Sequence, residues 1–584
     1  MKRVLSALIF VFCLSVTLQI GASVAFSAAP VLFFSDLTWG PKTGWEGSST
    51  KGAAVTVWGK NFGSPRGSSY ITVNGAQLIN DSDYAEWDAI GPARALERIT
   101  FWLNSTCQDG NGSISVTVGG VTSNTLPFNI TTGTIYFISV SDGNNTYNGK
   151  FSTRTGHSGS EGPFKDLYMF NPGIDSFRYG QNPSKDGQYI VYVKGGTYTA
   201  LDTDGAFVAL RGPYGGPTKQ KALIAYPGET PSLNATSADR GVIWNANYSP
   251  YGRNSDFCYS KLSVTGGGAA IDFWGDNNRV IGCQFNYMQE EVWSGVVMVD
   301  NSYNSRIYGN LFDNCGYDSY KHNIYIKTHS DYITGDKSCE YTYVGWNEIS
   351  NAYTRDGRGG AIFISKASDA DSKYTRYIWI HGNYFHDGNM EFIYTGDNTP
   401  LSDIYIYNNI FRSGNLSMNG AVFLAWDTQS VYLYNNTFYQ TSASVPMVYA
   451  VGTHETTNAF LKNNIFYANP GQTILFAEDN STINSDHDLF YGSTAPTSGG
   501  GITITNPIVG KDPLFMGPTS YNFHLQSGSP VFNAGTSVVS AYVTQDYDGI
   551  SRPQGALYDI GAYEYASGGD ITPPAKPTKL RVMP

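Results

Sequence analysis

The sequence is short of charge, short of cysteine and without helical periodicity. Charged residues make up 15% of its 584 positions, and 48 acids against 37 bases leave a formal charge of −11. A nucleic-acid partner calls for a net basic face, so that class of partner is not expected. Six cysteines are present, and Cys13 lies in the apolar run at the N-terminus. The remaining five, Cys107, Cys258, Cys283, Cys315 and Cys339, are odd in number and scattered, which fits neither a disulfide framework nor a zinc site. Cys258 and Cys283 lie 25 positions apart, close to one structural repeat, and are expected to stack as buried thiols. No stretch shows a 3.6-residue apolar period, and after the N-terminus no run is long and apolar enough to cross a bilayer. Ser-His-Asp patterns, phosphate loops and His-rich metal motifs are missing as well.

What is abundant points to strands. There are 42 Tyr, 31 Phe and 65 Gly, with Val, Ile, Thr and Asn throughout. Aromatic and β-branched residues suit pleated surfaces, while Gly and Asn suit the turns between short strands. The fold class is therefore all-β, and the length calls for two to four domains. Lys2, Arg3, a following apolar run and the small residues around Ala25-Phe26-Ser27 read as an export signal over 1–27. Its removal would leave a secreted or bacterial cell-surface protein with no transmembrane segment.

Between 30 and 132, short apolar runs alternate with Gly, Pro, Ser and Asn, the pattern of a β-sandwich. "AAVTVWGKNFGSPRGSSYITVNG" (Ala53 to Gly75) and "ISVTVGGVTSNTLPFNI" (Ile114 to Ile130) resemble the IPT/TIG family of immunoglobulin-like domains. The resemblance implies a spacer or binding module and no chemistry.

From 133 to 566 the chain is repetitive. "GQYIVYVKGGTYTA" (Gly187 to Ala200) reads as a first coil, and words such as "RIYGNLF", "IWIHGNYF", "IYIYNNIF" and "VYLYNNTF" follow. They end at Phe312, Phe385, Phe411 and Phe438, the last three 26 and 27 residues apart, with expansions between 313 and 348 and between 350 and 384. A repeat near 27 residues is one coil of a three-faced solenoid. Two places before each terminal apolar residue stand Cys283, Asn310, Asn347, Asn383, Asn409, Asn436, Asn464 and Asp488. Stacked amides there can hydrogen-bond along the column, so this row is read as structural. These words resemble the secreted bacterial right-handed parallel β-helix proteins of the pectate-lyase-like superfamily. "DYDGISRPQGALYDIGAYEY" (Asp546 to Tyr565) looks like their closing element. Asp546, Asp548 and Asp559 in it suit either calcium or, preferably, a polar cap over an open solenoid end. The Pro-rich stretch 567–584 resembles the start of a fibronectin type III strand.

Insertions in a solenoid become loops on one side, so the expanded coils are where chemistry is sought. "HNIYIKTHS", "GAIFISKAS", "NMEFIYTGD" and "GAVFLAWDT" align as strands with Ile324 and Ile326 inward. One outer column then reads Tyr325, Phe363, Phe392, Phe423 and Tyr449, a candidate platform for sugar rings. Glu391 falls in the column of Ile324, Ile362 and Val422. Elimination from a uronic acid needs a cation, a base and an acid, which these coils carry. "AIFISKAS" resembles a strand of β-helix alginate and chondroitin lyases whose Lys acts as base, which nominates Lys366. With it stand His322, Tyr325, Arg358 and Glu391 as catalytic candidates. Lys327, Arg355, Phe363, Tyr394 and Phe392 are candidates for substrate contact, and Asp369, Asp371 and Asp397 for calcium. The expected partner is a polysaccharide, cleaved by a lyase. Two alternatives stay open: a non-catalytic adhesin or structural rod, and a glycoside hydrolase using Glu391 and Asp397.

Overall fold

A computed structural model describes residues 29–565 apart from 172–186, 203, 211–213, 239–240, 246–252, 290–293, 317–320, 329–337, 353–359, 367–372, 397–400, 414–415, 417–418, 427, 442–444, 453–455 and 494–495. The signal over 1–27 and the tail over 567–584 lie outside the described residues. Three parallel sheets of 13, 12 and 11 strands stack along the chain as the faces of a right-handed parallel β-helix. Face 1 runs from Thr134–Ile138 to Ile502–Thr505, face 2 from Gly196–Tyr198 to Ile508–Val509, and face 3 from Val208–Leu210 to Thr497–Gly499. The helix begins one strand earlier than Gly187, because Thr134–Ile138 already pairs in parallel with Tyr189–Val193.

The turn between faces 1 and 2 sets the repeat. Its first residue takes the left-handed conformation, as at Gly382 (φ 60°) and Asn435 (φ 51°), which explains the Gly and Asn found there. The next residue is the expected amide. Asn383 Nδ2 donates to Asn409 Oδ1 at 3.0 Å and Asn409 Nδ2 to Asn436 Oδ1 at 3.0 Å, and each Nδ2 also donates to a backbone carbonyl. Each Oδ1 accepts a backbone N–H from the coil before, so the amides of this row are satisfied. Two places on, Phe385, Phe411, Phe438 and Phe466 stack inside at 4.5 to 4.9 Å. Cys283 occupies the amide position, whereas Cys258 lies in face 1 opposite Arg279, so the two thiols do not stack. The five cysteines of the described chain are free and buried.

Before the helix, a four-stranded sheet (Val31–Ser35, Lys51–Lys60, Glu97–Asn104, Tyr84–Ile90) faces a second sheet built around Gly110–Val118. Lys51–Lys60 is buried along nearly its whole length instead of on alternate residues. The cause is a third layer, because its sheet lies between its partner sheet and face 1. The Ala54 N–H donates to Tyr192 Oη, and that hydroxyl donates back to the Ala54 carbonyl, both at 2.8 Å.

The closing element was expected to cap an open end. Instead it lies along the side of the helix: Phe515, Phe523, Val531, Ile560 and Tyr563 cover the outer column of face 2 at Tyr384, Ile410, Ile465 and Leu489. That column is apolar and would otherwise be wet, so the element is placed by burial. It also meets the sandwich. The Arg94 guanidinium stacks 3.4 Å from the Tyr547 ring centre and donates to the Tyr547 carbonyl at 2.8 Å. The Arg94 N–H donates to Glu348 Oε2 at 2.6 Å. The calcium reading of this element fails on its contacts. Asp546 accepts the N–H groups of Asp548, Ile550 and Glu564, Asp559 those of Asn533 and Tyr565, and Asp548 pairs with His524.

Candidate functional site

Faces 1 and 2 are covered in large part by the sandwich and the closing element, and among the described residues neither of these packs on face 3. Its strands do not alternate cleanly. In several coils two successive N–H groups share one carbonyl, as Phe392 and Ile393 do on Ala421, and Met447 and Val448 on Ile474. Each such pair is a bulge that turns two consecutive residues inward. Ala361 and Ile362, and likewise Phe392 and Ile393, are therefore all core.

The bulge corrects two sequence expectations. Phe392 is not in the outer column but in the core, packed on Phe385 and Phe411. The column runs Tyr325, Phe363, Tyr394, Phe423, Tyr449, Phe476. Glu391 is opposite Gly360, and Ile393 takes the place expected for it beside Ile362. The rings lie 4.7 to 5.2 Å apart at 22 to 40°. Rings stacked on one another turn edges rather than faces to solvent, so the column is a poor flat platform for sugars.

The proposed catalytic cluster is also split. His322 and Glu391 sit before the bulge, at the start of the strands. Lys366 pairs with Thr328 at their far end, six residues from Gly360, or about 20 Å along an extended strand. There it is buried, with Nζ 5.9 Å from the Tyr374 ring. His322 is buried under Tyr325 and Phe363, and its Nδ1 accepts the Gly360 N–H at 3.2 Å. Burial, with Lys321 and Lys327 nearby, lowers its pKa to about 3, so the ring is neutral and a weak base. Burial raises the Glu391 carboxyl to about 7. Its Oε1 accepts from Asn419 Nδ2 at 3.0 Å, and its Oε2 has no hydrogen-bond partner among the described residues.

The structure gathers a different set one to two coils earlier. Asp272, on Ile271–Phe273, faces outward opposite Met298, and Asp300 ends the next strand, opposite Lys327. Lys327 Nζ is 3.7 Å from Asp300 Oδ1 and 4.8 Å from the Tyr325 ring. Burial works against that ammonium, but Asp300, Tyr325 and Asp272 outweigh it and raise its pKa, so Lys327 stays a cation. Burial and then the charge of Asp300 push the Asp272 carboxyl far above the usual range. Asp272 accepts a hydrogen bond from the Trp274 side chain, and its Oδ1 has no hydrogen-bond partner among the described residues. Ser365 Oγ donates to Tyr325 Oη at 3.2 Å. The site thus holds a carboxyl pushed far above the usual range beside a second carboxyl, with a fixed cation and a phenol next to them.

Sequence reasoning missed Asp272 and Asp300, although "AIDFWG" and "VVMVDN" carry the signal, a lone carboxylate at an outward place in an apolar strand. Lys327 and Tyr325 are brought to this group, and Phe363 and Tyr394 continue from it. Arg355, Arg358, Asp369, Asp371 and Asp397 lie outside the described residues. Among the described residues no group of three or more His, Cys, Asp or Glu is placed to hold a metal ion. No described helix is long and apolar enough to cross a membrane.

No family model and no curated protein matches the sequence. Among solved structures, the chain is similar to a pectate lyase (12% identity, 75% of this chain and 97% of that one, TM-score 0.32). It is also similar to a tailspike protein of an E. coli bacteriophage (14%, 61% and 81%, TM-score 0.36) and to a Streptococcus pneumoniae surface protein and adhesin (14%, 55% and 89%, TM-score 0.34).

Proposed function

We propose that this chain is an exported polysaccharide-active protein that cleaves a glycosidic bond by hydrolysis on face 3, with Asp272 as acid and Asp300 as base or nucleophile. The observation that carries the reading is the pair itself: two carboxyls at outward places on neighbouring coils, one pushed far above the usual carboxylate range by burial and by the charge of the other. Glycoside hydrolysis needs that division of roles. Asp272 would protonate the leaving oxygen, and Asp300 would attack the anomeric carbon or take the proton of a water. Lys327 lies 3.7 Å from Asp300 Oδ1 as its counter-charge, and the long face accommodates a polymer rather than a single sugar.

Elimination is the weaker reading because its nominated base, Lys366, is buried beside Thr328, one place past the outward Ser365, and Lys327 is held as a cation. The test is incubation with a panel of neutral and acidic polysaccharides, followed by new reducing ends and by absorbance near 235 nm. Reducing ends without absorbance, lost in Asp272→Asn and Asp300→Asn, are expected. Rising absorbance would replace hydrolysis by a lyase mechanism. Neither signal, with a polysaccharide still bound, would make the rod an adhesin.

A further inference from the structure

A cavity of about 320 Å³ lies between the sandwich and face 1, with neither Asp272 nor Asp300 in its lining. The loop Asp36 to Trp39 and Pro127 roof it, and the outer surface of successive coils forms its floor. Arg279 and Arg306 stand there in register on adjacent strands. Each is fixed at one end. Arg279 Nη2 donates to the Ser35 carbonyl at 2.6 Å, and Arg306 Nη1 donates to Asn304 Oδ1 at 2.6 Å with its guanidinium 4.5 Å from the Tyr343 ring. Arg279 Nε is buried with no hydrogen-bond partner among the described residues.

The acids in the wall do not neutralise this pair. Asp36 accepts the N–H groups of Leu37 and Thr56 at 2.8 Å and lies 3.4 Å from Lys261 Nζ, so its charge is already spoken for. Asp256 ends a row of side chains in which Asn304 donates to Asn277 at 2.6 Å and Asn277 to Asp256 at 3.2 Å. The row presents fixed polar groups beside the two guanidinium groups, and Trp39, Pro127 and Phe257 add apolar wall. Paired guanidinium groups match a planar carboxylate in a forked geometry. Side-chain amides and a carboxyl are the groups that read hydroxyls, and the volume is at the small end for ligand sites, of the order of one sugar ring.

We propose that this cavity binds the carboxylate-bearing sugar residue of an acidic glycan, at a site separate from Asp272 and Asp300. The sandwich then does more than space the rod, because the site is incomplete without its roof.

Calorimetric titration of the full chain with galacturonate, glucuronate, galactose and sodium sulfate tests the proposal. Saturable binding of at least one uronate is expected, with none of galactose. Arg306→Gln, whose side chain is half-buried and leaves the sandwich contact in place, should weaken uronate at least tenfold at an unchanged melting temperature. Asp300→Asn should leave that binding as it is, which separates this site from the proposed catalytic one. Absence of uronate binding would overturn the proposal. So would equal binding of sulfate, which would make the cavity a general anion site, or loss of binding in Asp300→Asn with none in Arg306→Gln.

Discussion

The turn between faces 1 and 2 and the two turns that flank face 3 belong to the same coils, yet they are built on opposite rules. The first keeps one length and one chemistry, an amide above an amide from Asn310 to Asn464 and closed by Asp488, with a Phe two places on in each of these coils except at Ile349. The others change length from coil to coil, and both expansions expected from the sequence fall on them. A short turn that satisfies its own polar atoms can repeat without outside help. A variable turn cannot, and the face between such turns holds Asp272 Oδ1, Glu391 Oε2 and both polar atoms of Asn323 without a hydrogen-bond partner among the described residues. Stability and chemistry are therefore divided between the two regions.

Substitutions should expose that division. Phe411→Ala removes a ring stacked between Phe385 and Phe438 and is expected to cost about 3–5 kcal/mol, with little change in activity per folded molecule. Asp272→Asn, which swaps a carboxyl already pushed far above the usual range for a neutral amide of the same shape, should do the reverse, lowering cleavage about 100-fold or more while the thermal midpoint moves little. If both quantities fell together in either variant, the division would be wrong. Asn409→Ala leaves the Asn383 N–H without its acceptor and is expected to cost about 1–3 kcal/mol, readable by denaturant unfolding.

A smaller effect concerns the covered side. Burial lowers the pKa of His386, but its hydrogen bonds to Asp387 and Glu348 outweigh this and raise it to about 9. A group raised above its unfolded value stabilises fully below about pH 6.5 and loses that contribution as pH rises through about 9. Glu348 also accepts the Arg94 N–H, so the junction of sandwich, helix and closing element should loosen between these limits. Hydrogen exchange around Arg94 should speed up from pH 7 to 9.5 beyond the intrinsic rate, and His386→Gln should flatten that dependence.

The repeating turn was legible in the sequence because one local pattern, Asn-x-Phe, fixes both its hydrogen bonds and its packing. The β-helix, its register in that turn and the inward Ile324 and Ile326 followed from it. Face 3 was only half legible. Alternation was carried past a bulge that leaves no sequence mark, so Phe392 and Glu391 were assigned the wrong columns. The side-lying closing element was not legible either, since an apolar patch such as Tyr384, Ile410 and Ile465 can be covered from elsewhere in the chain. Asp272 and Asp300 could have been found by period-two reading, had it been extended to the coils before the expansion.

The smallest effect is the sharpest test of where polar atoms are tolerated. The inner place beside the bulge is held by Val296, Ala361, Phe392, Ala421, Met447 and Ile474 in other coils, and in one coil by Asn323. Its side chain is buried and neither polar atom has a hydrogen-bond partner among the described residues. An unpaired buried amide costs stability that a hydrocarbon of similar size does not. Asn323→Val should therefore raise stability by about 1 kcal/mol, measured by urea unfolding. A gain in stability with unchanged cleavage would mark Asn323 as tolerated strain next to the site. A gain in stability with slower cleavage would tie that amide to the placement of Tyr325 two residues on, and so extend the working face inward from Asp300 to the core of the coil.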